Sequence, residues 1–261
     1  MSKSLTAEIA VVTGGGRDLG REIALSLATQ GADVAIIGRT QQTLNQTAKA
    51  IEALDRRALP IVADVTREGE IVEAFELIVA RLGPPTILVA NASAARKPCA
   101  VADMTLGEWN LALATKLTSA MLCARQALAT MVPRKKGNII FVSGTTGLRA
   151  APFMSAHSVA QAGLIALAQA LALEVGRYHI RVNSVVPSAI EGESLRKIVS
   201  HAEAMELDQS DPIAQLTTLS PLGRLVQPRE VASTVCFLAS EAASGITGQA
   251  VNILLDQMRP T

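Results

Sequence analysis

The chain has 261 residues, 24 basic and 23 acidic side chains, a net charge of +1, 49% apolar residues and only 2% aromatics. This balance leaves no electrostatic footprint for nucleic acid or an anionic membrane. Three scattered cysteines, Cys99, Cys123 and Cys236, support neither a disulfide framework nor a metal cluster. No apolar run reaches the ~18 residues of a membrane span. The start Met1-Ser2-Lys3-Ser4-Leu5 lacks the apolar core of a signal peptide. A cytoplasmic protein with no metal, membrane or nucleic-acid partner is expected.

Along the chain, short β-branched runs alternate with longer segments of helical period. Strands are expected at Ile9–Thr13, Asp33–Ile37, Ala58–Val62, Thr86–Ala90, Asn138–Val142, Arg181–Val186 and Ala250–Leu254. Helices fill the gaps at about 19–30, 41–55, 68–82, 106–132, 154–176 and 228–240, with ends uncertain by ~2–4 residues. Such alternation implies βαβ units and a doubly wound α/β fold, a parallel sheet covered by helices on both faces. With no repeat and no linker, 1–261 reads as one domain. Residues 190–226 break the rhythm with charges, Pro212 and Pro221. An insertion there would overhang the carboxyl ends of the strands, where ligands bind.

The first strand ends in Thr13-Gly14-Gly15-Gly16-Arg17-Asp18-Leu19-Gly20 and runs into a helix. A glycine turn in that place lets backbone N–H groups and a helix N-terminus approach a pyrophosphate. Asp18 works against a phosphate but suits the positive end of the helix. Gly38-Arg39 closes the second strand, where an NAD-binding protein would place an acid for the ribose hydroxyls. Arg39 and Arg17 suit a 2′-phosphate instead, so NADP is expected over NAD if a cofactor is bound.

Together with Ala63-Asp64-Val65, Ala90-Asn91-Ala92-Ser93, Ile180-Arg181-Val182-Asn183-Ser184-Val185-Val186-Pro187, Pro221-Leu222-Gly223-Arg224, Pro228-Arg229-Glu230-Val231-Ala232 and Ile246-Thr247-Gly248-Gln249, these features resemble the short-chain dehydrogenase/reductase superfamily over nearly the whole chain. The resemblance implies a seven-stranded Rossmann-type sheet. It also implies cofactor contacts from Gly14, Arg17, Asp18, Leu19, Gly20, Arg39, Asp64, Val65 and Asn91, and a substrate loop within 190–226. Family members are usually dimers or tetramers built on the helices that here span about 106–132 and 154–176, so an oligomer is expected.

The family's reaction uses asparagine, serine, tyrosine and lysine. The phenol is an acid of pKa ~10, which a lysine one helical turn away brings toward neutrality. By resemblance these positions hold Lys116, Gly144, His157 and Gln161, so every member is replaced. The nicotinamide wall has changed with them, to Ser93, Ser188 and Gly192, and the terminal block has become Leu254-Leu255-Asp256. His157 could transfer protons, since imidazole titrates near ~6.5, but Gly144 gives the reacting oxygen no hydroxyl. Strand alternation is expected to turn Ser143 and Thr145 away from the Gly144 direction, while Ser158 lies one helix position round from His157. His179 and His201 show no partner pattern, and Glu191 and Glu193, on the overhanging loop, read as solvated charges rather than catalysts. The leading expectation is a degenerate, non-catalytic subunit beside an active paralogue in a mixed oligomer, with weak cofactor binding. The alternatives are an NADP-dependent oxidoreductase with a rearranged site, a His157-dependent lyase or isomerase, and a nucleotide-sensing protein that keeps the adenine half-site.

Overall fold

The computed structural model describes residues 4–93, 98–193, 195, 196, 199 and 212–254. Its strands are β1 Ile9–Thr13, β2 Asp33–Gly38, β3 Ala58–Val62, β4 Ile87–Ala90, β5 Gly137–Val142, β6 Ile180–Pro187 and β7 Ala250–Ile253. They form one parallel sheet in the order β3-β2-β1-β4-β5-β6-β7. The order reverses between β1 and β4, and the crevice at such a switch point is where open sheets of this kind take ligands.

Burial on both faces explains why the strands read as apolar runs rather than alternating ones. All four residues of β4, Ile-Leu-Val-Ala, are buried, as are the last four of β1. One face packs Val11, Leu88, Ile139 and Phe141 under the helices α3 Glu68–Arg81, α5 Ser119–Arg134 and α6 Ser155–Val175. The other packs Val12, Ile36, Val89 and Ile140 under α1 Asp18–Thr29 and α2 Gln41–Glu52 and a last helix, α8 Pro228–Ala239.

Two expectations about elements need correction. The stretch read as one helix at 106–132 is α4 Leu106–Leu113, a π-turn Ala114–Thr118, and then α5. A π-turn inserts one extra residue and rotates the helix beyond it, and such turns gather at functional sites; here it carries Lys116. The region 190–226, read without an element, contains α7 Pro212–Leu219, with proline at its first position. The two ends of this region are tied together: Ile190 bridges Val226, and the Glu191 N–H donates to the Val226 carbonyl at 2.9 Å. Smaller shifts have local causes. Thr86 precedes β4 and uses its Oγ1 to accept from the Ile9 N–H at 3.2 Å. Leu254 leaves β7 with φ +51; Leu255 and Asp256 lie outside the described residues.

Candidate cofactor cleft and active site

The glycine turn is a close-packed knot. Gly14 has φ +69, and a Cβ on Gly20 would lie 2.0 Å from the Gly14 carbonyl oxygen. Only glycine fits there. The N–H groups of Gly14 and Gly15 donate to the Ile37 carbonyl at 2.7 and 3.3 Å, so they serve the sheet. The turn leads into the N-terminus of α1, the end of a helix that favours an anion. Asn91 lies beneath the turn. Its Nδ2 donates to the Thr13 carbonyl at 3.1 Å, while Thr13 Oγ1 accepts from the N–H groups of Asn91 and Ala92 at 3.0 Å each. Thr13 is a site residue the motif reading passed over, although a threonine just before the first glycine was visible.

Asp18 adds something the sequence did not show. It has φ +46, in the left-handed region, which aspartate tolerates better than most residues but glycine takes without strain. Its carboxylate is exposed at the mouth of the turn.

At the adenosine end, Arg17 Nη2 donates to Thr40 Oγ1 at 3.3 Å, so the glycine turn reaches across to the end of β2 beside Arg39. Asp64 Oδ1 accepts from the Thr66 N–H at 2.9 Å and from Thr66 Oγ1 at 2.8 Å. Those bonds, and then the charges of Arg39 and Arg67, hold its carboxyl below the ordinary range. Val65 beside it is buried. The cradle that a Cβ at Gly20 would fill, at the N-terminus of α1, fits a dinucleotide diphosphate, with the Asp18 carboxylate set against it.

Of the four tetrad positions, the structure brings three together. Gln161 Nε2 is 3.1 Å from His157 Nε2. Gly144, extended at φ −173, follows β5, and a Cβ built on it would lie 3.4 Å from the same Gln161 Nε2. Gln161 is buried, and its Oε1 has no hydrogen-bond partner. Lys116, only 5% exposed, points Nζ at the Asn91 carbonyl at 3.5 Å. It therefore braces the floor of the glycine turn.

The expected strand alternation beyond Gly144 does not hold, because β5 ends at Val142 and Thr145–Gly147 is a 3₁₀ turn. Ser143 Oγ donates to the Gln161 carbonyl at 3.0 Å, whereas the Oγ of buried Ser158 has no partner. His179 is a left-handed cap after the turn Gly176–Tyr178, and Glu191 accepts from Gln227 Nε2 at 2.5 Å. Glu193 is exposed, and His201 lies outside the described residues.

The family described as enoyl-(acyl carrier protein) reductase matches residues 14–253. A short-chain dehydrogenase/reductase of Armillaria gallica is 34% identical over 249 residues, 94% of either chain. The chain belongs to the short-chain dehydrogenase/reductase family. Another relative, the cis-4-hydroxycyclohexanecarboxylate dehydrogenase of Sinomonas cyclohexanicum, is 32% identical over 95% of either chain. Among solved structures, a 7α-hydroxysteroid dehydrogenase complexed with NADH and 7-oxo glycochenodeoxycholic acid matches with TM-score 0.90 at 25% identity, over 99% of this chain and 97% of its own. An NAD+-bound xylitol dehydrogenase, 23% identical over 96% of this chain and 99% of its own, shares the fold with TM-score 0.91. By family the chain is an oxidoreductase fold built for a nicotinamide cofactor. In this dehydrogenase/reductase scaffold the helix α6, which by length and composition alone could cross a bilayer, packs on β6 and on the turn Thr145–Gly147.

Proposed function

We propose that this short-chain dehydrogenase/reductase is catalytically silent on its own and serves as a non-catalytic subunit beside an active paralogue in a mixed oligomer. The pairing of His157 with Gln161 carries the reading. If Gln161 Nε2 donates, the imidazole lone pair on Nε2 is taken; with the amide turned over, Nε2–H is the donor and is equally committed. Gly144 contributes no hydroxyl to polarise a carbonyl, and Lys116 is engaged with the floor of the glycine turn. On this reading the family's proton path has no counterpart among the described residues.

The same proposal covers the cofactor. Gly14, Leu19, Gly20, Asp64 and Val65, with Asn91 beneath, would hold a dinucleotide; Arg17 and Arg39 favour NADP over NAD, and Asp18 weakens either. It also takes 1–261 as one cytoplasmic domain whose 190–226 region is the substrate loop. Support for an oligomer, homomeric or mixed, comes from apolar side chains left in solvent on adjoining helices: Leu106 and Leu111 on α4, Met121 on α5, and Val159 and Leu173 on α6, the last 87% exposed.

A second reading has one observation in its favour: half-buried His157, at the position the family gives its acid, is an imidazole 3.1 Å from the Gln161 amide that borders Gly144. It could serve a rearranged NADP-dependent oxidoreductase, or a lyase or isomerase. Two measurements separate the readings. The purified chain is assayed on a panel of alcohols and ketones with both cofactors, and the complex isolated from its native source is weighed intact by mass spectrometry. No turnover and a heteromeric mass are expected. Turnover that disappears in Gly14 or Arg39 variants would overturn the silent reading, and its loss in His157→Phe as well would establish the second.

A further inference from the structure

The helices α1 and α8 pack against each other on one face of the sheet. Between their carboxyl-terminal halves lies a groove of about 340 Å³, at the lower end of the volumes that hold small ligands. Ser26, Thr29 and Gln30 line it from α1 and its C-cap, three and four positions apart and therefore on one helical face. Cys236, Phe237 and Ser240 face them from α8 and its C-cap. Ser4, five residues before β1, closes one side, and Gln30 is three residues before β2. The groove therefore sits toward the amino ends of the strands, the end of the sheet away from the cofactor cleft.

The lining chemistry is narrow. Among the described residues, six of the eight side chains around the groove end in a hydroxyl or a carboxamide, and none is charged. Ser4 Oγ donates to Gln30 Oε1 at 3.1 Å, Thr29 Oγ1 to the Leu25 carbonyl at 2.9 Å and Ser240 Oγ to the Phe237 carbonyl at 2.8 Å. Each of these hydroxyls has committed its proton and keeps lone pairs to offer, while Gln30 keeps its amide N–H groups. An anion would meet acceptors and no cation. A hydrocarbon would strip water from six polar groups without return. Phe237, 45% exposed, adds an aromatic ring against which C–H groups can pack. Burial pushes the Cys236 thiol up to about 12, so it is a neutral wall and not a nucleophile. The frame is fixed from beneath. The Leu5 N–H donates to the Gln30 carbonyl at 2.9 Å, and Asn138 Nδ2 and Arg181 Nη2 each donate to the Leu238 carbonyl at 2.6 Å. A groove held in this way loses little ordering entropy when a ligand enters.

We infer that the groove between α1 and α8 binds a neutral polyhydroxy ring, a sugar or cyclic polyol, which lays its C–H face on Phe237 and exchanges hydrogen bonds with Ser26, Gln30 and the hydroxyls beside them. The site goes beyond the silent-subunit reading and does not rest on it, because holding a sugar there requires neither cofactor nor tetrad.

The test uses the full chain without cofactor and methyl β-D-glucopyranoside as the probe, followed by NMR titration of the backbone amides. A Kd on the order of 1 mM is expected for a ligand of this size, with the largest shifts at residues 26–30 and 233–240. Phe237→Ala removes the ring and should weaken binding about tenfold. Ser26→Leu fills the groove from the α1 side and should abolish binding, while amide spectra away from the groove stay those of wild type. Methoxycyclohexane, the same size of ring without the hydroxyls, should bind at least about tenfold more weakly than the sugar. Wild-type protein that shows no saturable shifts overturns the proposal, as does undiminished affinity in either variant. Equal binding of methoxycyclohexane would make the groove merely apolar, and shifts confined to Gly14–Gly20 and Asp64 would place the sugar in the cofactor cleft; both overturn it. Sedimentation showing a wild-type oligomer that dissociates in Phe237→Ala would assign the groove to a second copy of the chain and likewise overturn it.

Discussion

Gln161 Nε2 lies 3.1 Å from His157 Nε2, one turn along the same helix, while Oε1 of the same amide is buried with no partner. One half of the amide is satisfied and the other is not. An orphan buried acceptor costs ~1–3 kcal/mol, no less than the ~0.5–1.5 kcal/mol a hydrogen bond returns.

Gln161→Met keeps the length of the side chain and removes both amide atoms. The lost bond to His157 and the removed orphan should nearly cancel, leaving stability within about 1 kcal/mol of wild type. Urea unfolding checks this. The His157 ring resonances, followed by NMR, should shift even where stability does not, because the amide at 3.1 Å is gone.

Two glycines separate packing need from mere composition. A Cβ on Gly20 would meet the Gly14 carbonyl oxygen at 2.0 Å, whereas one on Gly69 in the first turn of α3 would meet nothing within 4 Å. Gly20→Ala should cost several kcal/mol and abolish nucleotide binding, since the turn must open to admit the methyl group. Gly69→Ala should be neutral or stabilise by up to about 1 kcal/mol. Paired urea titrations would show the contrast.

Asp18→Gly should strengthen dinucleotide binding. The substitution suits φ +46 and removes a carboxylate beside the diphosphate position. A charge at a helix terminus is worth ~0.3–1 kcal/mol, so a gain of roughly twofold to fivefold in affinity for NADP is expected by calorimetric titration. A loss of affinity would mean that the carboxylate is a ligand contact and not an obstacle.

The sheet was legible in the sequence because its strands are buried on both faces. Runs such as Ala10-Val11-Val12 and Leu88-Val89-Ala90 cannot serve a solvent-facing element of that length. What escaped was backbone state. Ala114–Thr118 reads Ala-Thr-Lys-Leu-Thr, with no glycine or proline to interrupt the helical pattern on either side, so nothing in it announced a π-turn. That turn accompanies a burial of Lys116 which a charged residue on a helical face does not suggest. The left-handed angles at Asp18 and Phe153 were hidden for a related reason: composition reports what a residue prefers, and these two residues are held in what they do not prefer. The glycine turn, Asp64 and the four tetrad positions were named from resemblance. Their joint geometry, and the clamp made by Thr13, were not.

The acid limb of stability should show one exposed pair. Arg224 holds Glu230 with two hydrogen bonds, 2.9 and 2.7 Å, and the Gln227 N–H adds a third at 2.8 Å. Arg224 first, and then that N–H, lower the Glu230 carboxyl from 4.5 to about 2. A folded-state value below the unfolded one means that the stabilisation is complete above about 4.5 and is lost as pH falls toward about 2. Glu230→Gln should therefore have a lower urea midpoint than wild type at neutral pH, and the gap should close across that acid window. Because the pair faces solvent, added salt should narrow the gap at every pH. A gap that persists at the acid end would assign the effect to the N-cap of α8 alone.

Rebuilding the family's reactive groups, by Lys116→Asn, Gly144→Ser, His157→Tyr and Gln161→Lys, should give a folded protein that is still a poor enzyme. The backbone admits the serine: Gly144 is extended, and the nearest atoms to a new Cβ are at 3.4 Å or beyond. Replacing Lys116 removes its bond to the Asn91 carbonyl, but Asn91 keeps two bonds to Thr13, so the floor of the turn should survive. Proton-transfer groups contribute only ~10²–10⁴-fold. The remainder depends on nicotinamide and substrate meeting in register, and a misplacement of ~1 Å costs ~10²-fold. The wall against which the nicotinamide would lie is changed at Ser93, Ser188 and Gly192. Asp18, in its left-handed conformation at the start of α1, would still oppose a diphosphate there. Steady-state oxidation of NADPH with simple ketones should remain at least about 100-fold below that of an intact family member assayed alongside. Circular dichroism and sedimentation unchanged from wild type would show that the deficit is not one of folding. Turnover equal to the intact enzyme would mean that the cleft differs from its relatives only at its reactive groups, and the reading of a site remodelled for a non-catalytic role would fall.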